Sequence, residues 1–188
     1  MLNYANLNDV EFEYLCQDIM QKKLNVKLRR FARGKDGGID LADDVHTKNI
    51  IVQVKHYMAS SVSQLISTLK DEVEKVAKIS PKEYYICCSK ELSPQKVNEI
   101  YQLFSSYMSS TSNIITLNEI DDFLNDPVNI EVLKKHYKLW IESTGILQDI
   151  GNTNVFIDCE TLLADIENEK NLFVKTSAYA SALKCLQD

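Results

Sequence analysis

Gly34-Lys35-Asp36-Gly37-Gly38-Ile39-Asp40-Leu41, a short polar turn, and then Ile50-Ile51-Val52-Gln53-Val54-Lys55-His56-Tyr57 carry the signal that decides the architecture of this 188-residue chain. In Ile39-Asp40-Leu41 the apolar neighbours point to one face of a strand and the carboxylate to the other. In Val52-Gln53-Val54-Lys55 the same two-residue period buries the valines and sets the Gln53 amide and the Lys55 ammonium one pleat apart. The spacing predicts two neighbouring strands of a hairpin, with Asp40, Gln53 and Lys55 facing one cleft. Alternation alone does not separate a site from a half-exposed sheet, because Gly-Gly is an ordinary hairpin signal.

A carboxylate, an amide oxygen and a lysine suit the hydrolysis of a phosphodiester. That reaction needs a divalent cation to polarise the phosphate and acidify its water, and a further cation to meet the developing negative charge. Asp36 competes for the carboxylate role, but it lies inside the Gly-Lys-Asp-Gly-Gly turn and is assigned to shaping it.

These two strands resemble the Mrr-like branch of the PD-(D/E)XK restriction endonuclease superfamily, in which a Gly-Gly-Ile-Asp strand precedes a Gln-x-Lys strand. The resemblance implies that Asp40 binds Mg2+ or Mn2+, that Gln53 occupies the usual second acidic position, that the Val54 carbonyl is a further ligand, and that Lys55 orients the attacking water. It also implies that a glutamate of the first helix reaches the metal, and Glu13 falls in that place. Glu11, two residues away, and Asp9 instead suit the positive helix N-terminus behind an Asn8 cap. Gln53 departs from the general superfamily pattern and removes one negative charge, so the expected metal affinity is modest. The residual alternative is a member of the same fold that binds DNA or oligomerises without cutting.

Composition bounds the class. With 45% hydrophobic residues the chain can bury one core plus an appendage. No apolar run approaches the ~18 residues of a membrane span, and the first residues lack a basic segment followed by an apolar one. Cys16, Cys87, Cys88, Cys159 and Cys185 form no Cys-x-x-Cys pair, and His46, His56 and His136 are scattered. A reduced, cytoplasmic setting without zinc is therefore expected. Cys87 and Cys88 sit in an apolar run and read as small buried hydrophobes.

A formal charge of −6 seats poorly with a nucleic-acid partner until it is divided along the chain. Residues 1–57 carry nine Lys/Arg and eight Asp/Glu, whereas residues 118–188 carry six and thirteen. Lys27, Arg29, Arg30, Arg33 and Lys35 lead directly into the candidate site. They read as contacts to the phosphates of double-stranded DNA, or equally as a solvated strand face.

Hydrophobic spacing predicts a helix over 8–23 with Leu7, Val10, Tyr14, Leu15, Ile19 and Met20 inward, then strands near 25–33, 38–45 and 50–57. A helix over 61–79 with Val62, Leu65, Ile66, Leu69, Val73, Val76 and Ala77 on one face stops at Ser80-Pro81. A strand at 84–89, a helix opened by Ser93-Pro94 and a strand at 113–117 follow, with 118–124 capping the core. The fold class expected is α/β, a restriction-endonuclease-like mixed sheet flanked by helices in the order αβββαβαβ, over residues 1–126.

Asp126-Pro127 marks the expected boundary to a helical linker, 127–188. It contains a long helix over 128–150 with Trp140 as a core anchor, a break at 151–154, an extended piece at 155–157 and helices over 158–170 and 177–186. The run Lys135-His136-Tyr137-Lys138-Leu139-Trp140 and the ending after Phe173 resemble segments that precede the P-loop of STAND-type NTPases in bacterial antiviral defence. That resemblance implies an N-terminal effector of a larger homo-oligomer, with the NTPase beyond residue 188, since no Gly-x4-Gly-Lys-Ser/Thr occurs here. No recognition helix is evident, and cutting of low sequence specificity is the expectation. The acidic tail leaves a protein-interaction adaptor as a third reading.

Overall fold

In a computed structural model of the chain, which describes residues 2–31, 39–141, 159–160 and 162–167, the first long helix is opened by Asn8. The Asn8 side chain accepts from the Glu11 N–H and the Glu11 carboxylate from the Asn8 N–H, each at 2.9 Å. This reciprocal cap satisfies two backbone donors that the helix cannot. α1 runs Asp9–Leu24 and ends where Asn25 turns left-handed, φ 51°.

The described strands are β1 (Arg29–Arg30), β2 (Leu41–Ala42), β3 (Ile50–Lys55), β4 (Glu83–Cys88) and β5 (Ile114–Ile115), in one sheet of order β1-β2-β3-β4-β5. β1, β2 and β3 pair antiparallel, and β3, β4 and β5 pair parallel. Parallel neighbours need a crossover, and α2 (Val62–Ile79) and α3 (Pro94–Phe104) supply it. Ser61 and Gln64 make the cap of α2, Ser80 ends it at φ 53°, and Pro94 occupies the first turn of α3 behind Ser93. α4 (Leu117–Asn125) and α5 (Ile130–Lys135) are the remaining α-helices among the described residues of the first unit. The mixed, helix-flanked α/β architecture expected from the motifs is the one observed.

Both faces of the sheet are covered. Ile51, Tyr84, Ile86 and Cys88 pack with Leu65, Ile66 and Leu69 of α2 and Ile100 and Phe104 of α3. Alternation turns Val52, Val54 and His56 the other way, toward α1, where His56 stacks on Phe12 at 4.6 Å and its Nε2 meets the Leu7 carbonyl at 2.9 Å. Cys16, Cys87 and Cys88 are buried, and burial pushes the Cys88 thiol up to about 12.

Several expectations are corrected. The first three strands are shorter than their apolar runs, and Leu117 begins α4 rather than ending a strand. Val10 and Tyr14 are exposed, because Phe12, Leu15, Cys16, Ile19 and Met20 form the buried stripe and residues two positions off it lie about 200° around the helix. In place of one helix over 128–150, a 3-10 turn at Pro127–Asn129, α5 and a second 3-10 turn at Tyr137–Leu139 follow one another. His136, at φ −97° and ψ 58°, breaks the helical path.

The first compact unit is Met1–Glu142, so Asp126-Pro127 lies inside it. The segment after Pro127 docks back on the start of the chain: the Asn3 N–H donates to the Leu139 carbonyl at 2.8 Å and Lys135 pairs with Asp18 at 2.7 Å. Trp140 is a core anchor, buried with its indole N–H donating to the Leu133 carbonyl at 2.7 Å. Of the second unit, Ser143–Asp188, residues 159–160 and 162–167 are described and are helical, with Leu162, Leu163 and Ile166 exposed. The pieces expected at 151–157 and 177–186, and the glycine turn 34–38, lie outside the described residues.

Candidate active site

Asp40 immediately precedes β2, and its carbonyl accepts from the Phe31 N–H at 3.1 Å, which fastens it beside the end of β1. β2 pairs Leu41 with Val52 and Ala42 with Ile51, and there the ladder stops. The next outward-facing donor of β3, the Val54 N–H, is taken up by Asp40 Oδ2 at 2.7 Å. The same oxygen accepts from Gln53 Nε2 at 2.5 Å. One carboxylate oxygen of Asp40 thus joins it to two adjacent residues of β3, thirteen and fourteen positions further along the chain.

Strand geometry adds a further oxygen. A residue in a strand turns its N–H and C=O to the same side, and successive residues turn to opposite sides. Lys55 faces β4, where its carbonyl accepts from the Ser89 N–H at 3.1 Å. Val54 therefore faces away from β4, and its carbonyl emerges on the side where Asp40 already holds its N–H.

Lys55 shares a sheet face with Gln53 and reaches α2. Its Nζ lies 3.3 Å from Glu72 Oε1, with the lysine side chain 13% exposed. Glu72 is itself buried, and its other oxygen meets Lys75 Nζ at 3.0 Å. Gln53 is buried rather than open to a cleft, because α2 covers the polar side of β3. Glu13 is buried on α1. Glu11 is committed elsewhere, to the Asn8 cap and to Lys138 at 2.5 Å.

Burial pushes the Asp40 carboxyl up to about 6. The Val54 N–H and the Lys55 ammonium oppose that rise, while the charges of Glu13 and Glu72 add to it. The Tyr84 hydroxyl is buried on the same face with no hydrogen-bond partner among the described residues, and its pKa is raised by burial and then by Glu72 and Asp40. A region that disfavours the charge of Asp40 in this way gains from added positive charge. A divalent cation fits on that ground, and the hard oxygens beside it would be the Asp40 carboxylate, the Val54 carbonyl and the Gln53 amide oxygen. Among the described residues no three His, Cys, Asp or Glu side chains converge as a metal-ion site.

Glu72 is the residue that sequence reading missed. Leu65, Leu69, Glu72 and Val76 follow helical spacing, so a glutamate stands on the apolar stripe of α2 where a hydrophobe is expected. A charge at such a position is the signal that could have found it. Of the basic residues, Lys27 and Arg29 are exposed and the Arg30 guanidinium lies 3.4 Å from the Tyr14 ring centroid. Arg33 and Lys35 lie outside the described residues. A cavity of about 220 Å³ opens between Tyr14 of α1 and Tyr137, and Asp40, Gln53, Lys55 and Glu72 do not line it.

Residues 4–78 match the family model Mrr_cat, described as a restriction endonuclease. The match spans α1, β1 to β3 and most of α2, and so includes Glu13, Asp40, Gln53, Lys55 and Glu72. The uncharacterized protein y4cD of Sinorhizobium fredii (strain NBRC 101917 / NGR234) is 25% identical over 148 residues, or 79% of this chain. The chain spans 23% of the length of that relative. No described helix is long and apolar enough to cross a membrane.

Proposed function

We propose that the Met1–Glu142 unit is a metal-dependent DNA endonuclease whose site is Asp40, Gln53, Val54 and Lys55, supported by Glu13. The observation that carries this reading is the convergence of the Gln53 amide and the Val54 N–H on Asp40 Oδ2, within a segment that matches restriction endonucleases. Mg2+ or Mn2+, when bound, would polarise the scissile phosphate and lower the pKa of a water. Asp40 and the Val54 carbonyl hold oxygen ligands in place, and Gln53 orients Asp40 and offers its amide oxygen. Lys55 brings a cation to the same face for the charge that develops on phosphate.

Lys27, Arg29 and Arg30, with Arg33 and Lys35, would track the DNA backbone, which accounts for affinity without sequence reading. Cutting of low sequence specificity follows. The wider setting we infer is cytoplasmic, with this domain as the effector of a homo-oligomeric antiviral protein that carries an NTPase in the same chain. The longer relative, of which this chain matches 23%, supports a domain used within a larger protein.

A second reading has its own observation. The Gln53 amide and the Lys55 ammonium both have partners inside the protein, Asp40 and Glu72, as they would in a non-cutting member that binds DNA. Cleavage of supercoiled and linear plasmid with Mg2+, Mn2+ or EDTA, beside Asp40→Ala and Lys55→Ala proteins of verified fold, separates the two. Metal-dependent cutting abolished by both changes is the expected result. DNA binding without cutting at any metal concentration would favour the second reading.

A further inference from the structure

Lys55 and Glu72 present an electrostatic problem that the nuclease residues alone do not explain. Glu72 is 7% exposed, in the middle of an apolar helix stripe, and a carboxylate there is unfavourable unless paired. Lys55 is nearly as buried and needs a counter-charge of its own. Gln53 carries no charge, and Asp40 Oδ2 is already occupied by the Gln53 amide and the Val54 N–H. Among the described residues Lys55 pairs with Glu72, at 3.3 Å, and Lys75 at 3.0 Å holds the second Glu72 oxygen from the solvent side.

We infer that Glu72 is a positioning residue of this site: it fixes the Lys55 ammonium on the Gln53 face of β3 and supplies from α2 the second full negative charge that Gln53 withholds. Three geometric facts support this. Lys55 and Gln53 are two residues apart on one strand, so their side chains lie on one face. α2 packs over that face through Leu65, Ile66 and Leu69, about two turns, two turns and one turn before Glu72. Lys75 follows Glu72 by three residues, which places it on the same side of the helix to hold the outer oxygen. Lys55 is thus paired with Glu72 while its charge still acts on Asp40, and the pairing keeps the ammonium from being drawn wholly to Asp40. A lysine that neutralised Asp40 directly would compete with the cation for the same oxygen. The inference rests on the nuclease reading for its functional meaning, while the placement of Lys55 can be tested without it.

The test uses the whole chain with 15N-labelled lysine. An ammonium held in a buried ion pair exchanges its protons slowly enough to give a 1H-15N cross-peak at neutral pH, and a Lys55→Arg protein identifies which peak belongs to Lys55. In Glu72→Gln protein of unchanged circular dichroism, the Lys55 peak is expected to vanish. The single-turnover cleavage rate should fall about 100-fold, as for loss of one preorganised charge-stabilising group, with the Kd for DNA unchanged within about twofold. Glu72→Asp keeps the charge one methylene short, should retain a weaker peak and should cut at an intermediate rate. It also decides the matter if the glutamine variant does not fold.

Persistence of the Lys55 peak in Glu72→Gln, or in Glu72→Asp an unchanged peak together with an unchanged cleavage rate, would overturn the inference. If the unaltered protein cuts no DNA with any metal, the nuclease reading falls, and the ammonium signal still decides whether Glu72 holds Lys55.

Discussion

The Gln53 amide donates to Asp40 Oδ2 at 2.5 Å, so in the proposed site the residue assigned to the second acidic position is a donor to the first. A glutamate in that place would face Asp40 as a like charge, and both would be buried. We expect Gln53→Glu to destabilise the metal-free protein by about 1–3 kcal/mol at pH 8, through a lost hydrogen bond and new repulsion. Millimolar Mn2+ should then raise its Tm more than it raises that of the unaltered protein, because the added carboxylate is a ligand. Equal metal-induced shifts in the two proteins would count against Gln53 lying at the cation position.

Asp40 carries a second expectation, in pH. Its carboxyl is pushed up to about 6 from an ordinary 3.8, so between those values the folded protein holds a proton that the unfolded chain has lost. Stability therefore falls as pH rises from about 4 to about 6, and the ionised group is unfavourable above that window. At about 1.4 kcal/mol per unit, the penalty is at most about 3 kcal/mol at pH 8. An Asp40→Asn protein, neutral throughout, should be more stable than the unaltered one at pH 8 and no more stable at pH 4. Denaturant midpoints at the two pH values measure this, and a pH-independent difference would contradict it.

Helical spacing and the two-residue period made most of this site legible. The Asn8 cap with the apolar spacing after it announces α1, and the apolar spacing over 61–79 announces α2, because these signals are local to a few turns. Gln53 and Lys55 are assigned to one face because strand alternation is local as well. Glu72 escaped because its partner, Lys55, is seventeen positions away and pairing across a crossover leaves no periodic trace. The end of α5 at His136 escaped for a similar reason. The apolar spacing continues through Tyr137, Leu139 and Trp140, but tertiary bonds from Asn3 and Asn6 to the Leu139 backbone and the Lys138 carbonyl hold a different conformation there. Tyr14 misled because a large aromatic normally turns inward, whereas here the Arg30 guanidinium covers its ring.

The docking of residues 127–141 on the start of the chain yields a prediction about where the first compact unit ends. Trp140 is buried with its indole N–H bonded to the Leu133 carbonyl, and His136 meets Asp18 of α1 at 2.8 Å. Trp140→Ala is expected to cost about 3–5 kcal/mol, the range for emptying a buried aromatic site. A chain ended at residue 126 should be less stable in urea than one ended at residue 142, because the first loses the cover over Tyr4, Leu7 and the outer side of α1. Equal midpoints for the two would show that the segment after Pro127 contributes nothing to the core.

The basic residues before the site separate into two kinds by their surroundings. Lys27 and Arg29 are exposed, whereas Arg30 lies over Tyr14. If the first pair contacts phosphate, Lys27→Ala and Arg29→Ala should each weaken DNA binding for all sequences alike. Each should also reduce the slope of log K against log salt by about one. Arg30→Ala should do this and also lower stability by about 0.5–1 kcal/mol through the lost cation–π contact, an effect that Tyr14→Leu should share without changing the salt slope. Binding isotherms between 50 and 200 mM salt, paired with thermal melts, read both quantities. A salt slope unaltered by Lys27→Ala and Arg29→Ala would assign that stretch to an ordinary solvated surface and move the DNA path elsewhere on the unit.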